Sequence, residues 1–306
     1  NRTTGIITAI KVFANSPAFE AGMLPGDILY QVDGETVTGK DLDLVVKENI
    51  RGEEGTYVDI TVLRGENAEE TPLHVERRSI EVPTVEYQML ENQVGYIYVT
   101  QFDEVTAKQF EDAIDDLEGQ GMEKLVIDLR NNPGGVLDTA VEMLAYVLPE
   151  DKLDGMLVYT ADKNGEGDRY FCKDGKIQRE SDDGSRDSRY PKEDDHELDV
   201  PLAVLVNGNS ASASEVFTGA VMDYDAGIVV GTTTFGKGIV QNLIPLGDGT
   251  AIKLTTAHYY TPNGFDLHGK GLEPDVVVEM DEELQKKAVV ELSEDNQLQA
   301  AIEAMN

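Results

Sequence analysis

The stretch from Val206 to Gln241 constrains the fold of this chain more than any other part of it. The apolar run PLAVLV ends at Val206, and the turn sequence NGN stops it. Apolar residues at helical spacing follow, with Ser212 at the junction and Glu215 three positions later, as in a capping box. The β-branched run IVVG then indicates another strand. The stretch therefore predicts strand, turn, helix and strand, with a serine at the head of the helix.

Lys237 follows Ser212 by 25 positions and lies between two glycines in the sequence TFGKGIVQ. Glycines and β-branched residues favour a strand with close backbone approach, in which Lys237, Ile239 and Gln241 share a face. In an apolar site, desolvation disfavours an ammonium group, and the neutral amine becomes available as a general base. Such an amine can take the proton from the Ser212 hydroxyl, and the Gln241 amide can hold its orientation, which makes these three residues candidates for a Ser-Lys site. The alternative role of Ser212 is that of a helix cap alone.

Three sequence blocks together resemble the carboxyl-terminal processing proteases, also called tail-specific proteases. They are SASASE followed by TFGKGIVQ, then DLRNNPGG at 128–135, and AHYYTPNG with HGKGLEPDVVV at 257–278. This family consists of serine endopeptidases with a Ser-Lys dyad supported by glutamine. The resemblance implies the same three roles for Ser212, Lys237 and Gln241. It also implies an α+β, multidomain chain with a ClpP/crotonase-like α/β protease core at residues 81–306.

The glycine pair in DLRNNPGG follows the apolar strand KLVIDL. Glycines at the end of a buried strand let backbone N–H groups point into a site, as an oxyanion hole requires. In the resembled family, one such amide acts with the amide that follows the nucleophile, which is Ala213 here. Gly134 and Gly135 are both candidates. A plain turn with positive φ is the alternative for this loop.

Residues 1–80 predict a small β-rich module, and the phrase SPAFEAGMLPGDILYQVDGETV resembles a bacterial PDZ domain. PDZ domains bind an extended C-terminal peptide as an added strand beside a helix. The apolar spacing from Asp41 to Ile50 predicts that helix, with Leu42, Val45 and Val46 as peptide-binding residues. The glycine-containing loop that normally precedes this part of the domain is missing, so we expect an N-terminally truncated module. A rigid spacer is the alternative.

The segment at about 178–198 is charged and poor in apolar residues, which predicts an irregular surface insertion. His258 and His268 are rivals to Lys237 as the base of a Ser-His site. His258 falls among aromatic residues of a strand, where a histidine more often has a structural role than a catalytic one. A Ser-His enzyme remains a third hypothesis beside a Ser-Lys protease and an inactive peptide-binding scaffold.

The net charge of −34 comes from 59 acidic and 25 basic side chains. This balance excludes the basic surface that binds nucleic acid phosphates, so we expect no nucleic-acid partner. Most of the acids are expected on a solvated surface, and a preference for basic substrates requires that acids line a groove. No metal or nucleotide motif occurs, so we expect neither a metal nor another cofactor. The single cysteine, Cys172, excludes an internal disulfide framework.

The chain begins NRTTG without methionine, and no run approaches the 18 to 20 apolar residues that span a bilayer. We expect a fragment or a mature form of a longer protein. The family resemblance implies protein or peptide substrates with unstructured C-termini, a location outside the cytoplasmic membrane of a bacterium, and membrane anchoring through an N-terminal segment absent here. A homo-oligomer is compatible with the sequence.

Overall fold

The computed structural model describes residues 5–14, 16–65, 67–148, 155–173, 176–191, 198–247, 249–285, 287 and 290–306. The chain divides into two compact units, the first ending at Pro83 and the second beginning at Thr84. The first unit is built mainly of strands and the second combines helices with two sheets. The predicted order of a β-rich module followed by an α/β core is confirmed.

The first unit is a four-stranded antiparallel sheet with short helices. Its elements are α1 (Pro17–Glu20), β1 (Ile28–Val32), β2 (Glu35–Thr36), α2 (Leu42–Leu44), a π-helical segment (Val45–Ile50), β3 (Tyr57–Arg64) and β4 (Glu69–Glu76). The strand order is β2-β1-β3-β4. The α2 helix begins after Asp41, whose carboxylate accepts the backbone N–H groups of Asp43 and Leu44. The helix predicted at Asp41 to Ile50 is therefore present, with a π-helical second half.

One predicted peptide-binding residue of this helix serves the core instead. Val45 is fully buried and packs with Val37 and Val58 in the hydrophobic core of the unit. Leu42 and Val46 line an open cleft of about 890 Å³, whereas Val45 does not. The physical reason is helical geometry, because adjacent positions such as Val45 and Val46 point in directions about 100° apart.

The second unit has two six-stranded sheets with helices packed on the first of them. Its elements are β5 (Val85–Met89), β6 (Val94–Val99), α3 (Thr106–Gly119), β7 (Lys124–Asp128), α4 (Leu137–Val147), β8 (Met156–Ala161), β9 (Asp168–Lys173), β10 (Lys176–Ser181), β11 (Arg186–Pro191), β12 (Leu202–Val206), α5 (Ala213–Asp223), β13 (Ile228–Gly231), β14 (Ile239–Pro245), β15 (Ala251–Tyr260), β16 (Val276–Val277), α6 (Glu282–Gln285) and α7 (Asn296–Ala304). A short 3₁₀ turn, Glu91–Gln93, precedes β6.

The first sheet has the order β16-β13-β12-β7-β6-β5 and is parallel except for β5. Strand β12 is buried along its whole length, as expected for a parallel strand covered on both faces. Its Leu202, Val204 and Val206 belong to the core shared with α3, α4 and α5, whereas Ala203 and Leu205 face α7. The sheet is therefore the middle of three layers.

The second sheet has the order β11-β10-β9-β8-β15-β14 and is antiparallel. It contains the described part of the charged segment at about 178–198, because β10 and β11 pair there as a hairpin. The expectation of an irregular segment is therefore wrong for residues 178–191, whose cross-strand pairs compensate for their weak apolar content. The remaining residues 192–197, including His196, lie outside the described part.

Two further predictions of local structure need correction. Lys237 does not lie within a strand, because β13 ends at Gly231 and β14 begins at Ile239. The glycines flanking the lysine mark a loop in which Gly236 has φ +84°. The apolar residues Leu292, Leu298 and Ile302 predict one terminal helix from Leu284 to Met305. The described residues instead form two shorter helices in this region, α6 and α7.

Candidate active site

Two loops meet at the carboxyl ends of the parallel strands β7 and β12. Such ends are the usual place for sites in open α/β sheets. The backbone carbonyl of Asn132, after β7, accepts the N–H of Ala211, after β12, at 3.0 Å. Gly134 has φ +92°, and a Cβ there would lie 2.7 Å from the Cβ of Ser212. Only glycine therefore allows the first loop to approach the serine this closely.

Ser212 stands immediately before α5 with a backbone conformation that is rare for a residue with a side chain. Its φ is 56° and its ψ is −115°, and its side chain is half-buried. Non-glycine residues in such regions persist only where surrounding contacts impose them, and they concentrate at functional sites. The position at the head of the helix agrees with the sequence-based prediction.

Glu215, one turn into α5, binds four donors although it is completely buried. Oε2 accepts the backbone N–H of Ser212 at 3.0 Å and that of Lys237 at 2.8 Å. Oε1 accepts the hydroxyl of Thr234 at 2.6 Å and the backbone N–H of Gly236 at 2.7 Å. These four donors satisfy both oxygens of a polar side chain that is shut off from water.

This carboxylate brings the backbones of Ser212 and Lys237 to a single oxygen atom. The sequence-based interpretation recognised Glu215 only as part of a capping box, which explains its bond to the Ser212 amide. Its bonds to Gly236 and Lys237 join positions more than 20 residues away. No local sequence signal distinguishes a capping glutamate with a second set of donors from an ordinary one.

The loop that carries Lys237 is fixed on several sides. Phe235 donates its backbone N–H to the carbonyl of Ser210 at 3.0 Å. A Cβ at Gly236 would lie 2.9 Å from the backbone nitrogen of Gly271, so the HGKGL segment packs directly against the loop. The Lys237 side chain is half-buried, while that of Phe235 is 64% exposed. The loop therefore holds its backbone firmly and leaves one aromatic ring uncovered.

Gln241 is not brought to Ser212 or Lys237 by any hydrogen bond among the described residues. Its side chain is exposed on β14, and its amide donates to the Thr255 hydroxyl at 3.4 Å. This distance is near the limit of a hydrogen bond, so the contact is weak. The structure thus joins two of the three predicted catalytic residues.

The backbone N–H groups of the glycine pair after β7 differ in whether they already have an acceptor. The N–H of Gly134 donates to Oδ1 of Asn132 at 2.9 Å. Within the described part of the chain, the N–H groups of Gly135 and Ala213 have no protein acceptor. A Cβ at Gly135 would lie 1.8 Å from the carbonyl oxygen of Phe102, which requires glycine at this position too.

Asn132 is a residue that sequence reasoning missed, although it lies within the DLRNNPGG block. It is completely buried, and its side chain donates to the carbonyl of Val99 at 2.8 Å while accepting from Gly134. Its own carbonyl also accepts the hydroxyl of Ser214 at 3.0 Å. An asparagine that follows a buried strand and precedes a glycine pair is the only sequence signal for this role.

A buried ion network lies under the same loop and ties it to α7. The Arg130 guanidinium contacts Asp128 and, at 2.7 Å, Asp295. Asp128 also accepts the hydroxyl of Tyr96 at 2.8 Å. Burial alone would lower the pKa of Arg130, but the charges and hydrogen bonds of the two carboxylates raise it well above its usual range. Asp295 in turn caps α7 by accepting two backbone N–H groups.

The rival histidines lie together beside the start of β14. His258 pairs with Ile239 across the strands, and its Nδ1 is 3.4 Å from a carboxylate oxygen of Asp266. The rings of His258 and His268 are 4.9 Å apart at an angle of 70°. No described hydrogen bond joins either ring to Ser212. The described contacts therefore give the serine a link to the lysine loop and none to a histidine.

A cavity of about 610 Å³ lies beside β14, and its lining includes the acids Asp138, Glu166, Asp168, Asp182 and Asp183 together with Arg179 and neutral residues. Acids therefore contribute to the lining of a cavity, as a preference for basic substrates requires. Across the described residues, no cluster of three or more histidine, cysteine or acidic side chains could hold a metal ion. In that same part, no helix is both long and apolar enough to cross a lipid bilayer.

Comparison with known families gives two matches along the chain. The model for peptidase family S41 matches residues 93–278, and a PDZ domain model matches residues 11–64. The first match covers more than half of the chain and includes the glycine pair, Ser212, Lys237 and Gln241.

Several known proteins are similar to this chain in sequence or structure. A "Probable CtpA-like serine protease" of Staphylococcus aureus is 39% identical over 264 residues, which are 86% of this chain and 48% of that protein. The protein of the same name in Staphylococcus haemolyticus has the same identity and coverage. The chain therefore spans about half the length of these relatives. A solved structure, the photosystem II D1 C-terminal processing protease, is 29% identical with a TM-score of 0.51, covering 90% of this chain and 69% of that one.

Proposed function

The chain belongs to peptidase family S41, and from this premise we propose that it is a serine endopeptidase cutting proteins near unstructured C-terminal tails. The observation that carries the proposal is the Glu215 carboxylate, which holds the backbones of Ser212 and Lys237 at one oxygen. A nucleophile and a base on separate segments need such a connection, because a misplacement of about 1 Å can cost about a hundredfold in rate.

In the proposed mechanism, the neutral amine of Lys237 takes the proton from the Ser212 hydroxyl while Oγ attacks the scissile carbonyl carbon. The tetrahedral intermediate collapses as the C–N bond breaks and the lysine returns the proton to the leaving amine. An acyl-enzyme ester remains on Ser212. Water, deprotonated by the same amine, then attacks the ester and releases the acid product and the free serine.

The oxyanion of the tetrahedral intermediate would be bound by the backbone N–H groups of Ala213 and Gly135. We favour Gly135 over Gly134 because the Gly134 amide already donates to Asn132. The Ala213 amide has the further advantage of lying at the positive end of the α5 dipole. Each such donor is worth about 3 kcal/mol of transition-state stabilisation.

Gln241 would support Lys237 once substrate is bound. Its amide makes only the weak contact with Thr255, so little is lost when it turns to the lysine amine. The carbonyl oxygen of an amide side chain accepts from an amine, which fixes the direction of the nitrogen lone pair.

The PDZ module would recognise or gate substrate tails through the cleft lined by Leu42 and Val46. As a whole, the protein would act outside the cytoplasmic membrane of a bacterium, held there by a segment N-terminal to this chain. Its partners would be proteins or peptides with unstructured C-termini. These statements rest on the family membership and on the relatives named as CtpA-like serine proteases.

The test is cleavage of one unfolded protein made with two tails, one apolar and one charged. Wild-type protein is expected to cut the apolar-tailed version faster, and Ser212→Ala is expected to cut neither. Mass spectrometry of a quenched reaction should find an acyl group on the Ser212 peptide. Binding of the tail without cleavage or acylation by the wild-type chain would favour the inactive scaffold instead.

A further inference from the structure

Strands β14 and β15 form a two-stranded ribbon that projects into solvent. Residues 241–247 and 249–256 are all exposed, so both faces of the ribbon are uncovered along this length. A half-buried strand would instead alternate between covered and exposed side chains. The ribbon is therefore not part of the packed core, although its base pairs with β8 through residues 258–260.

The exposed ribbon carries large aliphatic side chains in place of the polar ones expected on such a surface. Their exposed fractions are 70% for Leu243, 44% for Ile244, 55% for Leu246, 49% for Ile252 and 49% for Leu254. Cross-strand pairing puts Ile244 opposite Ile252 and Asn242 opposite Leu254, so Ile244, Ile252 and Leu254 share one face. Leu243 pairs with Lys253 and lies on the other face. An exposed cluster of this kind marks an interaction surface.

The backbone of β14 is also open to a partner. The strand is the last of its sheet, and in the described part of the chain it pairs only with β15. Edge strands are usually protected by charges or by coverage, because their outward N–H and C=O groups accept another strand. From Ile239 to Thr256 the sequence has only Asp248 and Lys253 as charged residues, in a chain of net charge −34.

We propose that an unfolded apolar stretch of the substrate binds this ribbon as an added strand. Its backbone would pair with the free edge of β14, and its side chains would cover Leu243 and Ile244. The inference deepens the proposed function and rests on it. Continuity with the site supports it, because β14 begins two residues after Lys237 and a strand laid along it leads toward the nucleophile.

A second copy of the chain is a poorer occupant of the same edge. Two chains of net charge −34 repel one another, whereas a neutral apolar segment meets no such barrier. Pairing of two β14 strands would also occupy the edge that leads to the lysine. At about 3.3 Å per residue, the seven residues of β14 can pair with about seven substrate residues on the N-terminal side of the cleavage site.

The experiment compares two peptides with the same cleavage segment, one of them extended by seven apolar residues on its N-terminal side. The wild-type chain should cleave the long peptide with a kcat/KM about ten times that for the short peptide. This gain is equivalent to about 1.4 kcal/mol. The double variant Leu243→Asp and Leu254→Asp should lose this gain and cleave the short peptide normally. Val277→Asp, which changes another exposed apolar residue of this unit, is the control and should keep the gain.

Backbone pairing is tested with a long peptide that is N-methylated at alternate residues of the extension. Methylation removes the donors but keeps the apolar side chains, so the gain should disappear. Fluorescence anisotropy of the labelled long peptide on Ser212→Ala protein measures the same binding without cleavage. Weaker binding in the double variant is expected there too.

An unchanged gain in the double variant or with the methylated peptide would overturn the inference. Sedimentation could also show a dimer in the wild type and a monomer in the double variant. That result would assign the edge of β14 to a second copy of the chain and would also overturn the inference. Failure of the wild type to cleave the short peptide would count against the proposed function, and anisotropy would then decide the strand-binding inference separately.

Discussion

At the scale of single residues, Glu215 holds the candidate site together. Its four donors come from the nucleophile, the lysine loop and Thr234. Glu215→Gln keeps the shape but replaces one charged acceptor oxygen by an NH₂ group that faces N–H donors. We expect kcat to fall about 10- to 100-fold, since hydrogen bonds to a charged group are worth about 1.5–3 kcal/mol each.

The matched control for this change is Glu142→Gln. Burial raises the pKa of Glu142, so a neutral amide should be tolerated and kcat should stay near the wild-type value. Circular dichroism establishes that both variants are folded. A Glu215→Gln protein as active as the Glu142→Gln protein would show that the carboxylate does not position the dyad.

The sequence predicted Ser212 and Lys237 because their types and spacing are local properties of two motifs. The same motifs left Gly134 and Gly135 undecided, since the choice depends on whether Asn132 already binds one of the amides. Val45 was assigned wrongly to the peptide cleft because apolar spacing does not say which of two adjacent residues faces the core.

At the scale of elements, the buried Arg130 network connects the end of β7 with the start of α7. Arg130→Met would leave Asp128 and Asp295 buried without a counter-charge. We expect a loss of about 3–5 kcal/mol in the free energy of unfolding, measured by urea denaturation. Adding Asp295→Asn should restore part of the loss, because one uncompensated charge is removed.

The exposed ion pairs of Lys108 serve as the control for the buried ion network of Arg130. Lys108 contacts Glu111 and Asp112 on the surface of α3, and surface pairs contribute little to stability. Lys108→Met should leave the urea midpoint unchanged. Equal effects of Lys108→Met and Arg130→Met would contradict the assignment of Arg130 as a tie between β7 and α7.

In the first unit, Asp27 ties the turn before β1 to β3. Its buried carboxylate accepts from Arg64 at 2.8 and 2.6 Å, and this hydrogen bonding, with the backbone N–H of Leu24, lowers its pKa. A lowered pKa adds stability that is fully present above the usual aspartate value of about 3.9 and is lost as the pH falls through the folded value. The protection factors of amides in β1 and β3, which are corrected for the pH dependence of intrinsic exchange, should therefore fall in acid.

Asp27→Asn removes this linkage and provides the control. The difference in protection between wild type and Asp27→Asn should be constant from about pH 7 to pH 5 and should shrink below about pH 4. If the difference in amide protection between wild type and Asp27→Asn grew as the pH fell, the pH dependence would have the opposite sign. That result would contradict the role of the ion pair.

Elements were predicted best where the apolar pattern is strong. The sequence predicted the buried strands β7 and β12 close to their observed bounds. It missed β10 and β11, whose residues are polar and held by cross-strand pairing with β9 and each other. It also extended a strand through Lys237, because β-branched residues on both sides concealed the loop between β13 and β14.

At the scale of the whole molecule, the net charge of −34 should govern which substrates arrive fastest. We expect a basic unfolded protein to have a higher kcat/KM than an acidic one of equal length at low salt. The ratio should fall as sodium chloride rises to 0.5 M, since screening shortens the range of the field to below about 10 Å. A ratio that does not change with salt would assign the preference to local contacts, such as the acid-lined cavity beside β14.

The central claim is that Ser212 attacks and Lys237 is its base. The most direct test measures single-turnover cleavage of an unfolded protein by wild-type, Ser212→Ala, Lys237→Ala and His258→Ala chains, each shown to be folded. We predict a loss of at least about a thousandfold in the serine and lysine variants and near wild-type rates in the histidine variant. Retained activity in Lys237→Ala together with its loss in His258→Ala would contradict the account and establish a Ser-His enzyme.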